Sequence, residues 1–124
     1  MVLVGIPKET VQGEHRVAIN PDVASQLIKM GVSVQVEKNA GLASYFTDEA
    51  YQKNGVQIVE DAYKDADIVI KIQKPNAGEI KKMKSGCLLV SFLWAAQNRD
   101  TIDQLNAQNI TALGMEAIPR ITRA

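Results

Sequence analysis

A chain of 124 residues in which 14 basic side chains balance 14 acidic ones carries no net charge, which removes the long-range pull toward nucleic acid or an anionic bilayer. Hydrophobic residues make up 46%, an ordinary share that suits one domain with its own core and no internal boundary. Two Phe, three Tyr and one Trp are too few for a stacking surface on single-stranded nucleic acid, and no apolar run approaches the roughly 20 residues that span a bilayer.

Short apolar runs alternate with amphipathic stretches. Val2-Leu3-Val4-Gly5-Ile6 reads as a first strand ended by Pro7, and because it starts at once no signal peptide is expected. Asn20 and Pro21 open a helix, Val23, Leu27, Ile28 and Met30 mark its apolar face, and Gly31 stops it. A β-branched alternation over 32–36 predicts the second strand. The stretch 41–46 reads as a loop or short helix. Thr47 caps a helix to Lys53, stopped at Asn54-Gly55.

A short strand is expected at 56–59 and a brief helical turn at 61–64. Residues 67–71 form a strand with a continuous apolar centre, as expected where both faces are covered. A polar helix over 76–84, a buried strand over 87–92, a helix over 100–108 and a strand over 110–113 follow. Met115 to Ala124 reads as structured sequence, so the chain is expected to be a piece of a longer one. The single cysteine, Cys87, cannot form an internal disulfide, consistent with a reducing compartment, and its apolar run marks a core thiol. The alternation predicts an α/β fold: a three-layer, doubly wound, mostly parallel sheet of flavodoxin or Rossmann type, spanning 1–124 as one domain.

Ligands of such sheets gather outside the carboxyl ends of the strands. Lys8, Glu9, Glu14, His15 and Arg16 follow the first strand, Gln73 and Lys74 the strand at 67–71, Trp94, Gln97 and Asn98 the strand at 87–92, and Glu116 and Arg120 the last. These residues suit a cleft rim, and solvated loops would give the same pattern. No G-x-G-x-x-G or G-x-x-x-x-G-K-[ST] occurs, so this segment has no backbone cradle for a pyrophosphate. His15, the only histidine, has no second histidine or cysteine nearby, which argues against a zinc site and reads as an exposed loop residue. No catalytic or metal-binding residue is assigned.

Gly5-Ile6-Pro7-Lys8-Glu9, then Glu14-His15-Arg16-Val17-Ala18 and Pro21, resemble the opening of alanine dehydrogenases and of the alpha subunits of proton-translocating nicotinamide nucleotide transhydrogenases. Val36-Glu37 with Ala40-Gly41 fits both. Alanine dehydrogenases carry a pyruvate-binding lysine in a K-V-K-E-P motif; Lys71-Ile72-Gln73-Lys74-Pro75 places Gln73 there. They carry a catalytic histidine after F-L; here Phe92-Leu93 leads to Trp94. Their substrate-carboxylate arginine would correspond to Arg16. Lys74 lies one residue off, and such a slip reverses side-chain direction.

Val90-Ser91-Phe92-Leu93-Trp94 with Gln97-Asn98 resembles the transhydrogenase V-S-F-[IL]-W-x-A-Q-N segment, and 115–124 resembles its M-[DE]-x-[IVLM]-P-R-I-[ST]-R-A segment. The resemblance therefore favours the N-terminal lobe of the NAD(H)-binding component of a transhydrogenase over an alanine dehydrogenase fragment or a non-catalytic binding module. It implies hydride transfer between NAD(H) and NADP(H), with no proton-transfer residue needed at the reacting carbon. It implies that Arg120 contacts the nicotinamide side of NAD, that Arg123 is structural, and that Trp94 either packs on its own loop or walls the cleft. NAD would be shared with a second, glycine-rich lobe downstream. NADP would sit on a partner component, and proton movement would belong to a membrane component. The full-length protein is expected to be a homodimer held peripherally on the cytoplasmic side of a membrane, or in the matrix if eukaryotic. The 124 residues alone are expected to be inactive.

Overall fold

The structure is a computed structural model describing residues 2–117. Arg120 and Arg123, together with the rest of the segment from 118 onward, lie outside the described residues. Among the described residues there are six strands: β1 Leu3–Ile6, β2 Ser33–Glu37, β3 Gln57–Val59, β4 Ile68–Ile70, β5 Leu88–Ser91 and β6 Thr111–Gly114. Four α-helices connect them: α1 Pro21–Lys29, α2 Asp48–Lys53, α3 Ala77–Lys82 and α4 Arg99–Ala107, with single 3-10 turns at Leu42–Ser44 and Met115–Ala117.

All strand pairs are parallel and the order is β3-β2-β1-β4-β5-β6. The sheet is thus wholly rather than mostly parallel. The right-handed preference of β–crossover–β connections then sends helices to opposite faces as the chain winds one way from β1 and the other way from β4. Two separate cores result. On one face Ala24 of α1 and Tyr51 of α2 pack on Val4, Ile6, Val34 and Val36. On the other, Ile80, Met83 and Leu105 from the α3 and α4 side pack on Val69 and Leu89, with Cys87 fully buried among them. Burial pushes the Cys87 thiol above its ordinary pKa.

Local signals place the helices. Asn20 caps α1 by accepting from the Val23 N–H, with Pro21 at the first position, and Gly31 leaves the helix at a φ of 101°. Thr47 caps α2 through the Ala50 N–H. The expected helical turn at 61–64 is instead a non-helical turn over 62–65. It packs so closely on β1 that a Cβ at Gly5 would lie 2.0 Å from the Ala62 carbonyl oxygen. The Gln35 side chain holds it there, donating to the carbonyls of Ala62 at 2.9 Å and Lys64 at 3.0 Å. Those carbonyls face the sheet instead of closing a helix. Among the described residues no helix is long and apolar enough to cross a membrane.

Candidate functional site

β1 and β4 are neighbours from which the chain departs in opposite directions, and the crevice beyond their carboxyl ends is where open α/β sheets accept ligands. Glu9, three residues past β1, turns into this crevice. One of its oxygens accepts the Ile72 N–H at 2.9 Å and the other accepts the Gln73 N–H at 3.0 Å. The Lys71 ammonium lies 3.3 Å from the latter oxygen and donates to the Gln73 carbonyl at 2.6 Å. Both side chains are essentially inaccessible, at 0% and 1%. Ser91 at the end of β5 is also buried, its Oγ 3.1 Å from the Gln73 carbonyl. The backbone of Gln73 is therefore fastened at its N–H and at its carbonyl.

So anchored, Gln73 sends its carboxamide across to the β1 loop. Its Nε2 donates to Glu14 Oε1 at 2.7 Å. Arg16 grips the same carboxylate as a fork, its Nη2 donating at 2.7 Å and its Nε at 2.8 Å, while its backbone N–H donates at 3.0 Å. The Arg16 guanidinium holds the Glu14 carboxyl down to a pKa of about 2, and its own pKa is raised in return. Beside this group lies an open cleft of about 240 Å³ lined by Lys8, Glu14, His15, Arg16, Asn39 and Leu42, among others. Glu37 at the end of β2 accepts the Lys8 N–H at 3.1 Å, and burial pushes its carboxyl above the usual range.

The β5 side of the rim carries an aromatic pair. The Phe92 and Trp94 rings stack at 5.7 Å with an interplanar angle of 12°. Trp94 is half exposed and adopts a left-handed φ of 49°. Glu116, past β6, accepts the N–H groups of Leu93 at 2.8 Å and Trp94 at 3.0 Å. Asn98 donates to the carbonyls of Leu93 and Trp94 at 3.0 and 3.1 Å.

Of the residues singled out by position after a strand, the structure joins Glu9, Glu14, Arg16 and Gln73 in one network, and Trp94, Asn98 and Glu116 in another. Lys74 is exposed. His15 is exposed, and it is its backbone carbonyl that accepts from the Ser44 hydroxyl. The N–H of Gln97 donates to the Trp94 carbonyl. By sequence Lys71 and Ser91 read as strand residues, yet both support the site from beneath. The long loop after β1, where dinucleotide folds grip pyrophosphate, is occupied by Pro7, Lys8 and the inward-turned Glu9. It does not fit a phosphate grip; the rim fits one wall of a cleft.

Residues 5–124 match the family model described as Alanine dehydrogenase/PNT, N-terminal domain. The chain is 40% identical over 124 residues to the NAD(P) transhydrogenase subunit alpha of Haemophilus influenzae, covering 99% of this chain but 24% of that protein. A solved transhydrogenase from Sinorhizobium meliloti superposes with a TM-score of 0.93 at 33% identity, over 97% of this chain and 36% of its own. An L-alanine dehydrogenase structure superposes with a TM-score of 0.87 at 30% identity, over 91% and 32%. The chain thus spans about a quarter to a third of the length of these relatives. The matched model and the shared fold together place it in the alanine dehydrogenase/transhydrogenase N-terminal domain family.

Proposed function

We propose that this domain is the lobe without a glycine-rich turn in the NAD(H)-binding component of a proton-translocating transhydrogenase, walling a cleft in which hydride passes between NAD(H) and NADP(H). The observation that carries the reading is the engagement of Gln73. It stands where the alanine dehydrogenase pattern has its lysine, and its carboxamide is spent on Glu14 together with Arg16. A carboxamide neither polarises a keto acid as an ammonium does nor exchanges a proton near neutral pH. Trp94, at the pattern's histidine position, has no proton to trade either. Transfer from one nicotinamide ring to another needs neither group; it needs two rings held face to face.

On this reading the chain's own residues bind and exclude. Glu9 and Lys71 fix the β4 exit, Trp94 with Phe92 shields one side of the cleft from water, and Arg120 reaches the nicotinamide side of NAD. NADH would supply the hydride when bound, its pyrophosphate held by the second lobe. NADP and the proton path belong to partner components, and the assembly is a homodimer at the cytoplasmic or matrix face of a membrane.

The test uses the longer protein that contains the second lobe, assembled with its NADP-binding partner component. Arg120→Ala is expected to slow single-turnover hydride transfer to an NADP⁺ analogue by about tenfold or more, with a smaller change in NADH affinity, because it misplaces the ring more than it loosens the cofactor. Equal transfer rates would remove Arg120 from the site. Turnover of alanine or pyruvate by the same protein would overturn the reading in favour of an amino-acid dehydrogenase.

A further inference from the structure

We propose that Glu116, seconded by Asn98, is a positioning residue for Trp94: its carboxylate fills a nest of backbone N–H groups at the β5 exit and fixes the indole as part of the cleft wall. The wall role rests on the function proposed above; the clamp stands on geometry alone.

An L-residue keeps a left-handed φ only where its surroundings impose it, and Trp94 has a bulky side chain that gains nothing from that conformation. The surroundings here act on the backbone. Leu93 and Trp94 both aim their N–H groups at Glu116, at 2.8 and 3.0 Å, one on each of its carboxylate oxygens. Successive N–H groups around a left-handed residue form the concavity that binds anions, and an internal carboxylate occupies this one. Asn98 takes the complementary half by donating to the Leu93 and Trp94 carbonyls. Both flanks of the Trp94 residue are therefore pinned.

A second observation points the same way. A Cβ at Gly114 would lie 2.7 Å from a Glu116 carboxylate oxygen and 3.1 Å from the other. β6 therefore ends in the residue that lets the carboxylate fold back over its own strand toward β5. The clamp is not serving the core either. The indole it holds is 51% exposed, stacked on Phe92 and open toward solvent. Four groups thus cooperate to hold a flat aromatic ring out at the rim, where one side of it remains available to a planar partner.

Trp94 is the single tryptophan of these 124 residues. In the two-lobed protein, the difference between each variant and its Trp94→Phe counterpart isolates this ring's emission. Two variants disturb the clamp by different routes. Glu116→Gln keeps the shape but puts an N–H₂ where an acceptor is needed. Gly114→Ala keeps every donor and acceptor but places a methyl where the carboxylate lies. Both are expected to raise the acrylamide quenching constant of Trp94 about twofold or more, as the ring gains freedom, with far-UV circular dichroism retained. Both are expected to abolish the change in Trp94 emission that NADH produces in the parent protein, while NADH still binds the second lobe by its own fluorescence. Asn98→Ala, a milder cut, is expected to move both readouts in the same direction and keeps the test open should a clamp variant fail to fold.

Unchanged Trp94 quenching in Glu116→Gln and Gly114→Ala would overturn the proposal. If the variants loosen Trp94 but the parent's Trp94 emission ignores bound NADH, the clamp survives and the wall role falls, together with that part of the functional reading.

Discussion

The Glu9–Lys71 pair is costly to break. Each charge is shut off from water, and each is compensated by the other and by the backbone of 72 and 73. Removing one partner leaves the other buried without its counter-charge, a loss of about 3–5 kcal/mol. Lys71→Met is therefore expected to lower stability by about that amount in denaturant unfolding, and pairing it with Glu9→Gln is expected to recover part of the loss. Glu14 behaves differently because its partner Arg16 is exposed and screened. Its pKa in the fold is depressed to about 2 from an ordinary 4.5. Its contribution is thus present above pH 4.5 and lost as pH falls toward 2. Comparing melting temperatures of the protein and Glu14→Gln across that window, the gap is expected to close as acid is added; a gap independent of pH would mean the carboxylate is unpaired. Position after a strand end was enough to nominate Glu9, Glu14, Arg16 and Gln73, since strand ends of a parallel sheet converge. It did not reveal Lys71. A lysine closing an apolar strand reads locally as a solvated end, and its partner is 62 residues away in sequence.

At the scale of elements, the caps carry much of the register between chain and fold. Asn76 and Glu79 form a reciprocal capping box on α3, each side chain accepting from the other's backbone N–H at 2.8 and 2.9 Å. Glu79 also accepts from the buried Tyr63 hydroxyl at 2.9 Å, and burial with that neighbouring charge raises the phenol's pKa. Asn76→Ala is expected to cost about 1 kcal/mol, the usual worth of a cap, and Glu79→Ala more, since it also strands the tyrosine. The turn over 62–65 has a different dependence. Gly5→Ala would drive a methyl into the Ala62 carbonyl at 2.0 Å, a backbone atom that cannot step aside. The expected loss is about 3 kcal/mol or more, and retained stability would mean that the crossover can lift from the sheet. Helix starts and strand periods were legible because capping and alternation are local, which is why α1, α2 and all six strands stand within a residue or two of expectation. The 62–65 turn was not, because its conformation answers to Gln35 and Gly5 on other strands rather than to its own residues.

The whole molecule is asymmetric in a way the topology dictates. Winding outward from β1 and β4 with right-handed crossovers puts α1 and α2 over β3, β2 and β1 on one face only, and α3 and α4 on the other face. Side chains sharing the first face therefore lose cover along the sheet. Val36 and Ile6 are fully buried, Ile70 and Val90 are half-buried, and Leu113 on the β6 edge is 45% exposed. Hydrophobic stabilisation scales with the area removed from water, so truncation costs should fall along the same line. Ile6→Ala is expected to cost about 3–4 kcal/mol, Ile70→Ala about 2, and Leu113→Ala less than about 1. Unfolding of the three variants in denaturant measures the slope directly. A Leu113→Ala cost equal to that of Ile6→Ala, in the longer protein, would mean that this edge gains cover from residues outside those described; a flat series with small costs throughout would mean that the first face is not the core the helices make it.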